Sequence, residues 1–216
     1  DGSQGPELLM LRRSRKAGFF PNAWVFPGGR VDEADARFPT QGKVAGAPPE
    51  DACFAVAALR ECFEEAGVWL GIGKPDSGLR ARLNAREATL DDAPELVADL
   101  SRLAWLAWWI TPEVEPKRYD TRFFVVQIDA CIGEEVSADQ VETVESCWVT
   151  PSEGLARHRG GEDFFLAPPT YRTLQELESQ GSAAEIWTYA DRMEVRPIMP
   201  RIVKGDQMTI LLPGDP

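Results

Sequence analysis

The amino-acid sequence predicts an α+β fold in which a mixed β-sheet lies between helices, and three observations carry that expectation. Short apolar runs closed by glycine or proline, Leu8-Leu-Met-Leu11 and Ala23-Trp-Val-Phe26, have the length and composition of strands. A stretch ending at Gly67 repeats apolar residues at helical spacing. A later group of apolar runs is followed by segments that open on proline, a residue tolerated in the first turn of a helix. The order strand, strand, helix, strand, helices, strands, helices places helices on both faces of a sheet.

Taken in order, Glu7–Arg13 reads as the first strand, bounded by Gly5-Pro6 and Gly18, and Ala23–Phe26 as the second, stopped by Pro27-Gly28-Gly29. Residues 36–50, rich in Pro, Gly and Ala, read as a loop that interrupts the pattern. Pro48-Pro49-Glu50-Asp51 opens the central helix and Gly67 stops it. Val68–Leu70 reads as the start of a strand, and residues 76–103 as one or two helices over the core. Strands are expected at Ala104–Ile110, Arg122–Ile128 and Ser146–Val149, then helices from Pro151 to about Arg157 and from Pro169 to Glu178, with a terminal hairpin within 194–212. The chain is read as one domain over 1–216, with a helical C-terminal extension from about 151.

Composition bounds the function classes. The 216 residues are 44% hydrophobic and 27% charged, and no apolar run approaches the ~20 residues of a membrane span, so membrane insertion is not expected. The opening Asp1-Gly-Ser-Gln-Gly carries no secretory pattern and reads as a trimmed end. A net charge of −12 argues against an extended nucleic-acid surface, yet suits a small anion held through a divalent cation. Cys53, Cys62, Cys131 and Cys147 form no Cys-x-x-Cys pair and the single histidine is His158, which argues against structural zinc. Cys53, Cys62 and Cys147 read as small core residues of a reducing, cytoplasmic compartment.

Helix geometry singles out Arg60-Glu-Cys-Phe-Glu-Glu-Ala-Gly-Val68. At ~100° per residue, Glu61, Glu64 and Glu65 share an arc of about 100°, while Ala55, Leu59, Cys62, Phe63 and Ala66 form a separate apolar stripe. The acids therefore face one volume, a cleft or water. Like charges at these spacings oppose helix formation by a few tenths of a kcal/mol per pair, with Arg60 the local counter-charge to Glu64. A hard divalent cation would reverse that cost, since Mg²⁺ binds through a few carboxylates, retained waters and substrate phosphates. A solvated acidic face is the bland alternative. The glycines of Pro27-Gly28-Gly29, which allow close approach of the backbone to a metal or phosphate, tip the reading toward a site.

Arg60-Glu61-x-x-Glu64-Glu65-x-Gly67-Val68, preceded by Gly28-Gly29, resembles the Nudix box, Gly-x5-Glu-x7-Arg-Glu-x-x-Glu-Glu-x-Gly followed by an apolar residue. The second half matches at every defined position. The first half departs from it: counting back from Arg60 puts Ala52 at the Glu position and Gly46 at the Gly position. Counting forward from Gly29 puts Asp35 at the Glu position, and Asp35-x24-Arg60 then contains an insertion of 17 residues. The second alignment keeps the strand-to-loop signal intact and is preferred, with a metal role for Asp35 left open. A long insertion here is similar to the branch of peroxisomal coenzyme A diphosphatases and their bacterial relatives. Leu8–Arg15, Val25–Asp32, Trp109–Pro112, Tyr119–Phe124 and Pro168–Leu174 resemble segments of that branch as well.

The resemblance implies a Nudix-type α/β/α sandwich and Mg²⁺- or Mn²⁺-dependent hydrolysis of a small nucleoside diphosphate derivative, with coenzyme A or acyl-CoA foremost. ADP-ribose, a dinucleotide or capped RNA is the alternative substrate, and a non-catalytic nucleotide-binding module the alternative class. It assigns Glu61, Glu65, Glu64 and the Gly29 carbonyl to the metal, and Arg60 to orienting a glutamate. Glu64 and a loop acid, Glu142 or Glu145 with Glu145 foremost, are the base candidates. Arg13, Arg15 and Arg122, with Arg12 and Lys16, are candidate phosphate contacts. Trp24, Trp105, Trp108, Trp109 and Trp148 read as core, His158 as an exposed helix end, and a homodimer as one compatible state.

Overall fold

A computed structural model describes residues 2, 4–46, 51–161, 163–204 and 208–213 of the chain, leaving aside the side chains of 204 and 208–210. Strand β1 (Leu8–Arg13) is central to a three-stranded antiparallel sheet, between β2 (Trp24–Val25) and β7 (Thr143–Val149). A short helix α1 (Glu33–Arg37) and a 3-10 turn at Pro39–Gln41 lead to β3 (Val44–Ala45). Helix α2 (Ala52–Ala66) follows, then α3 (Leu79–Asn84) and β4 (Ala98–Asp99), which pairs in parallel with β3. Strand β5 (Ala104–Ile110) lies between antiparallel β6 (Asp120–Val125) and parallel β8 (Pro197–Ile198), the mixed sheet that the sequence implies. Helices α4 (Ala130–Glu134), α5 (Pro151–Arg159), α6 (Pro168–Leu177) and α7 (Ala183–Arg192) complete an α+β sandwich, and β9 (Arg201–Lys204) and β10 (Met208–Leu211) form the expected terminal hairpin.

Alternation along β1 splits its side chains between two cores. Leu11 is buried against α2 with Leu59, Phe63 and Ala66, whereas Met10 is buried on the opposite face with Trp24, Val149, Leu155 and Leu174. The sheet is thus sandwiched between α2 and the α5–α6 pair. Between Arg12 and Arg13 the pairing with β7 slips: Arg12 faces Glu145 but Arg13 faces Thr143, so Val144 is a bulge residue.

Several sequence expectations change. Val68–Leu70 forms no strand; only Ile72 bridges to Val97, in a segment where a side chain at Gly71 would overlap the Val97 carbonyl. Residues 76–103 hold only the single short helix α3, two 3-10 turns and β4. The segment read as a loop from residue 36 carries the end of α1, a 3-10 turn and β3, and its Phe38 is fully buried in the α2 core. Of the helix-opening residues Pro48, Pro49, Glu50 and Asp51, only Asp51 lies within the described part of the chain. Trp24 and Trp109 are core residues, and Trp105, Trp108 and Trp148 are half-buried. All four cysteines are free; Cys62 is buried, Cys53 and Cys147 are half-buried, and Cys131 is exposed. His158 is no exposed helix end: half-buried, it accepts the Leu166 N–H on Nδ1 at 3.1 Å and lies against Phe165 and Tyr171.

Candidate active site

Helix α2 is buried on nearly every side, so its acids open into a cleft rather than bulk water. Glu65 is 3% exposed, and Glu61 and Glu64 are mostly covered. Glu61, Glu64, Glu65, Asn84, Arg86 and Glu142 are among the residues that line this cleft.

Arg60 organises the acids from below. Its buried guanidinium donates Nε and Nη2 to the two oxygens of Asp35, both at 2.9 Å, a bidentate pairing with a carboxylate that is itself fully buried. Nη2 also donates to the Arg30 carbonyl at 2.6 Å, while Nη1 lies 2.9 Å from Oε1 of both Glu61 and Glu64. Asp35 in turn accepts the Asp32 N–H at 2.8 Å, which fastens the first turn of α1. The Asp35 carboxylate is thus committed to Arg60 and to the turn that carries it. Burial opposes the charge on Arg60, but the carboxylates of Asp35, Glu61 and Glu64 outweigh it and raise the guanidinium pKa.

The Pro27-Gly28-Gly29 loop closes on the acids from above. Glu65 accepts the Gly28 N–H at 2.8 Å, and a Cβ at Gly29 would overlap the Glu61 carboxylate. Burial pushes the Glu65 carboxyl up to about 8, against the pull of the Gly28 N–H and with a further push from Glu61 and Glu142. Burial likewise raises Glu61 to about 7; Arg60 opposes the rise and Glu64 and Glu142 add to it. Glu64 is raised in the same way, again by burial and against Arg60.

The far end of α2 is held by residues that sequence reasoning did not single out. Arg80 of α3 donates Nε to the Glu64 carbonyl at 2.9 Å and Nη2 to the Glu65 carbonyl at 3.0 Å, while reaching Oγ and O of Ser137 at 3.0 and 2.7 Å. Asn84 and Thr143 add contacts to the Glu64 and Glu65 carbonyls at 3.3 and 3.5 Å. These satisfy carbonyls that a helix end leaves open, and Gly67 closes the turn at φ +81°. Asp139 shapes the neighbouring loop, accepting the N–H groups of Val141, Glu142 and Thr143 and the Thr143 hydroxyl. A carboxylate two to four residues ahead of three amides is the one signal for Asp139 in the sequence.

The loop acid in the cleft is Glu142; Glu145 is elsewhere. Glu145 pairs across the sheet with Arg12, whose guanidinium it meets at 3.0 Å and which also binds Asp163. In register, Glu145 shares a face with Cys147 and Val149, the α5–α6 side. The Val144 bulge then restores Thr143 to the α2 side and brings the Glu142 loop to the acids.

Among the arginines, Arg13 stands on the α2 face of β1, where its charge favours ionised Glu65, and its Nε is buried without a hydrogen-bond partner. Arg15 is exposed in the following loop. Arg122 is occupied elsewhere: it stacks on Phe54 and Trp108 at 3.6 and 4.5 Å and binds Asp120 and Asp51 at 2.7 and 3.3 Å, near the opposite end of α2. As they stand, no three acidic, histidine or cysteine side chains among the described residues are close enough to hold a metal. Arg60 and the Gly28 amide engage the oxygens of Glu61, Glu64 and Glu65 instead. The donor set nevertheless fits a hard cation: clustered carboxylates beside a backbone loop whose Gly29 lies directly against the Glu61 carboxylate.

The NUDT19 Nudix domain model matches residues 36–177. A Caenorhabditis elegans protein named nudix hydrolase 7 is 30% identical over 96% of this chain and 68% of its own length. The human protein named acyl-coenzyme A diphosphatase NUDT19 is 29% identical over 99% of this chain and 72% of its own, and the chicken protein of that name 26% identical over 97% and 72%. A crystal structure of a Nudix hydrolase from Alicyclobacillus acidocaldarius superposes with a TM-score of 0.74 at 25% identity, over 87% of this chain and 90% of that one. With the box residues gathered on α2 and both sequence and fold pointing the same way, the chain belongs to the Nudix hydrolase family, in the branch of the NUDT19 domain.

Proposed function

We propose that this chain hydrolyses the diphosphate of coenzyme A or an acyl-CoA, using Mg²⁺ or Mn²⁺ held by Glu61, Glu64 and Glu65 with the Gly29 carbonyl. The observation that carries the reading is the buried cluster of acids around Arg60 and the Gly28-Gly29 loop. Three glutamates are kept in a covered cleft with their pKa values raised, an arrangement that costs stability unless a cation is bound there. The relatives named as acyl-coenzyme A diphosphatases supply the substrate class.

A divalent cation at this position neutralises phosphate charge and lowers the pKa of water. The protein's own residues do the rest. Asp35 and Arg60 fix Glu61 and Glu64, Arg80 and Gly67 fix the end of the helix that carries them, and Glu142 stands across the cleft where it accepts the proton of the attacking water. Water adds to one phosphorus as the bond to the bridging oxygen breaks. The products are a phosphopantetheine, acylated or not, and an adenosine bisphosphate. In this reading Arg13, on the α2 face of β1 with its charge felt at Glu65, and the exposed Arg15 contact the substrate's phosphates, whereas Arg122 is enclosed by aromatics and paired with two aspartates. The four free cysteines suit a reducing compartment such as the cytoplasm, and no helix among the described residues is long and apolar enough to cross a membrane.

The test is a mass-resolved product screen with Mg²⁺ and Mn²⁺ over coenzyme A, acyl-CoA, ADP-ribose, dinucleotides and capped RNA. Coenzyme A or acyl-CoA turnover to the two monophosphate esters is expected. Absence of products from all of them with either metal overturns the enzymatic reading, and preference for another substrate overturns the coenzyme A assignment.

A further inference from the structure

Arg86 stands out because its backbone and its position contradict each other unless the side chain is used. It follows α3, donating its N–H to the Leu83 carbonyl at 2.9 Å, while Glu87 N–H reaches back to the Arg82 carbonyl at 2.8 Å. This pair of bonds closes the helix with a left-handed residue, and Arg86 has φ +59°. Glycine takes that conformation without steric cost; a long side chain does not. Elsewhere in the chain, α2 ends on glycine at the equivalent place. Arg86 is exposed and is among the residues that line the cleft of Glu61, Glu64, Glu65 and Glu142, yet its side chain has no hydrogen-bond or ion-pair partner among the described residues. Strained backbone at the rim of a site is where a functional side chain is to be sought.

We propose that Arg86 is a substrate-phosphate contact, meeting the diphosphate at the cleft of Glu61, Glu64, Glu65 and Glu142. The inference rests on the diphosphatase reading. A planar guanidinium matches two phosphate oxygens, and the diphosphate would supply the anionic partner that Arg86 lacks in the protein alone. The neighbouring segment supports the geometry: α3 is fastened to α2 through Arg80 and Asn84, so the residue just beyond it is held at a fixed distance from the acids.

The test compares wild type with Arg86→Gly, Arg86→Asn and Arg86→Lys in steady-state hydrolysis of coenzyme A and in thermal unfolding. Glycine and asparagine both tolerate the left-handed backbone, so neither is expected to lower Tm, and Arg86→Gly is expected to raise it. Both should reduce kcat/KM by roughly tenfold to a hundredfold, mainly through KM, and Arg86→Lys should recover part of the loss. An Arg86→Gly enzyme with kcat/KM within twofold of wild type overturns the proposal. So does a loss of activity that follows a loss of Tm. Wild type that turns over no diphosphate in the same assay overturns the functional reading instead, so the two failures are distinguishable.

Discussion

Replacing Asp35 by alanine tests the arrangement beneath the acids. Its carboxylate is fully buried and accepts two charged hydrogen bonds of 2.9 Å from Arg60, which is itself 4% exposed. Removing one member of a buried pair costs about 3–5 kcal/mol, because the other charge is left without compensation. Here Arg60 keeps the Arg30 carbonyl and its contacts with Glu61 and Glu64, so the loss belongs at the lower end, about 3 kcal/mol. In a chain of 216 residues that lowers Tm by about 6–12 °C. The released guanidinium then competes with a cation for Glu61 and Glu64, so Mg²⁺ affinity should fall as well. Thermal unfolding of Asp35→Ala and Asp35→Asn beside wild type, with Mg²⁺ titration by calorimetry, measures both effects. A Tm within 2 °C of wild type and unchanged Mg²⁺ affinity would refute the view that Asp35 positions Arg60.

Glu142→Gln is expected to lower kcat by about a hundredfold or more, as for loss of a general base, while Glu145→Gln stays near wild type because that side chain only pairs with Arg12; steady-state kinetics of the two variants decide between the loop acids. Metal-free stability should change with pH in a defined direction. Glu61 and Glu65 hold their protons to about 7 and about 8 in the folded chain but ionise near 4.3 when unfolded, so the folded state binds more protons between those limits. Their contribution is fully present below pH ~4.3 and is lost as pH rises through about 8. A cation binds the ionised form, so the Tm increment given by Mg²⁺ should be larger at pH 8 than at pH 6; calorimetric scans at both values would sink this if the increment were equal or reversed.

Much of this was open to sequence reading, and the parts that were not have physical reasons. The strands β1, β5 and β6 and helix α2 are runs of apolar residues whose own spacing declares them, and helical geometry alone put Glu61, Glu64 and Glu65 on one side. Helix α1 escaped because Glu33–Arg37 is barely more than one turn, too short for a period to register. Helix α7 carried a legible signal, Ser182 capping Glu185 N–H, but no apolar run strong enough to extend it. Division of the strands into separate sheets depends on pairings far apart in sequence, such as Leu9 with Trp148, which no local pattern encodes. The same is true of Arg80: its value lies in two carbonyls of a helix 15 residues earlier, and nothing in Leu79–Asn84 announces it. Glu145 reads as a loop acid because the sequence predicts a strand beginning at Ser146; β7 begins at Thr143, so Glu145 lies within it and faces Arg12.

The bulge at Val144 has an evolutionary side. One extra residue, Val144, decides which acid of the Glu142–Glu145 stretch reaches the cleft, while the glutamates of α2 are fixed independently by Arg60 and Arg80. Insertion or deletion of a single residue in this edge of the sheet would therefore change which acid of the stretch stands on the α2 side and leave the arrangement of Glu61, Glu64 and Glu65 untouched. An alignment of relatives that matches acids column by column, without allowing for the bulge, will pair residues that stand on opposite faces of the same strand.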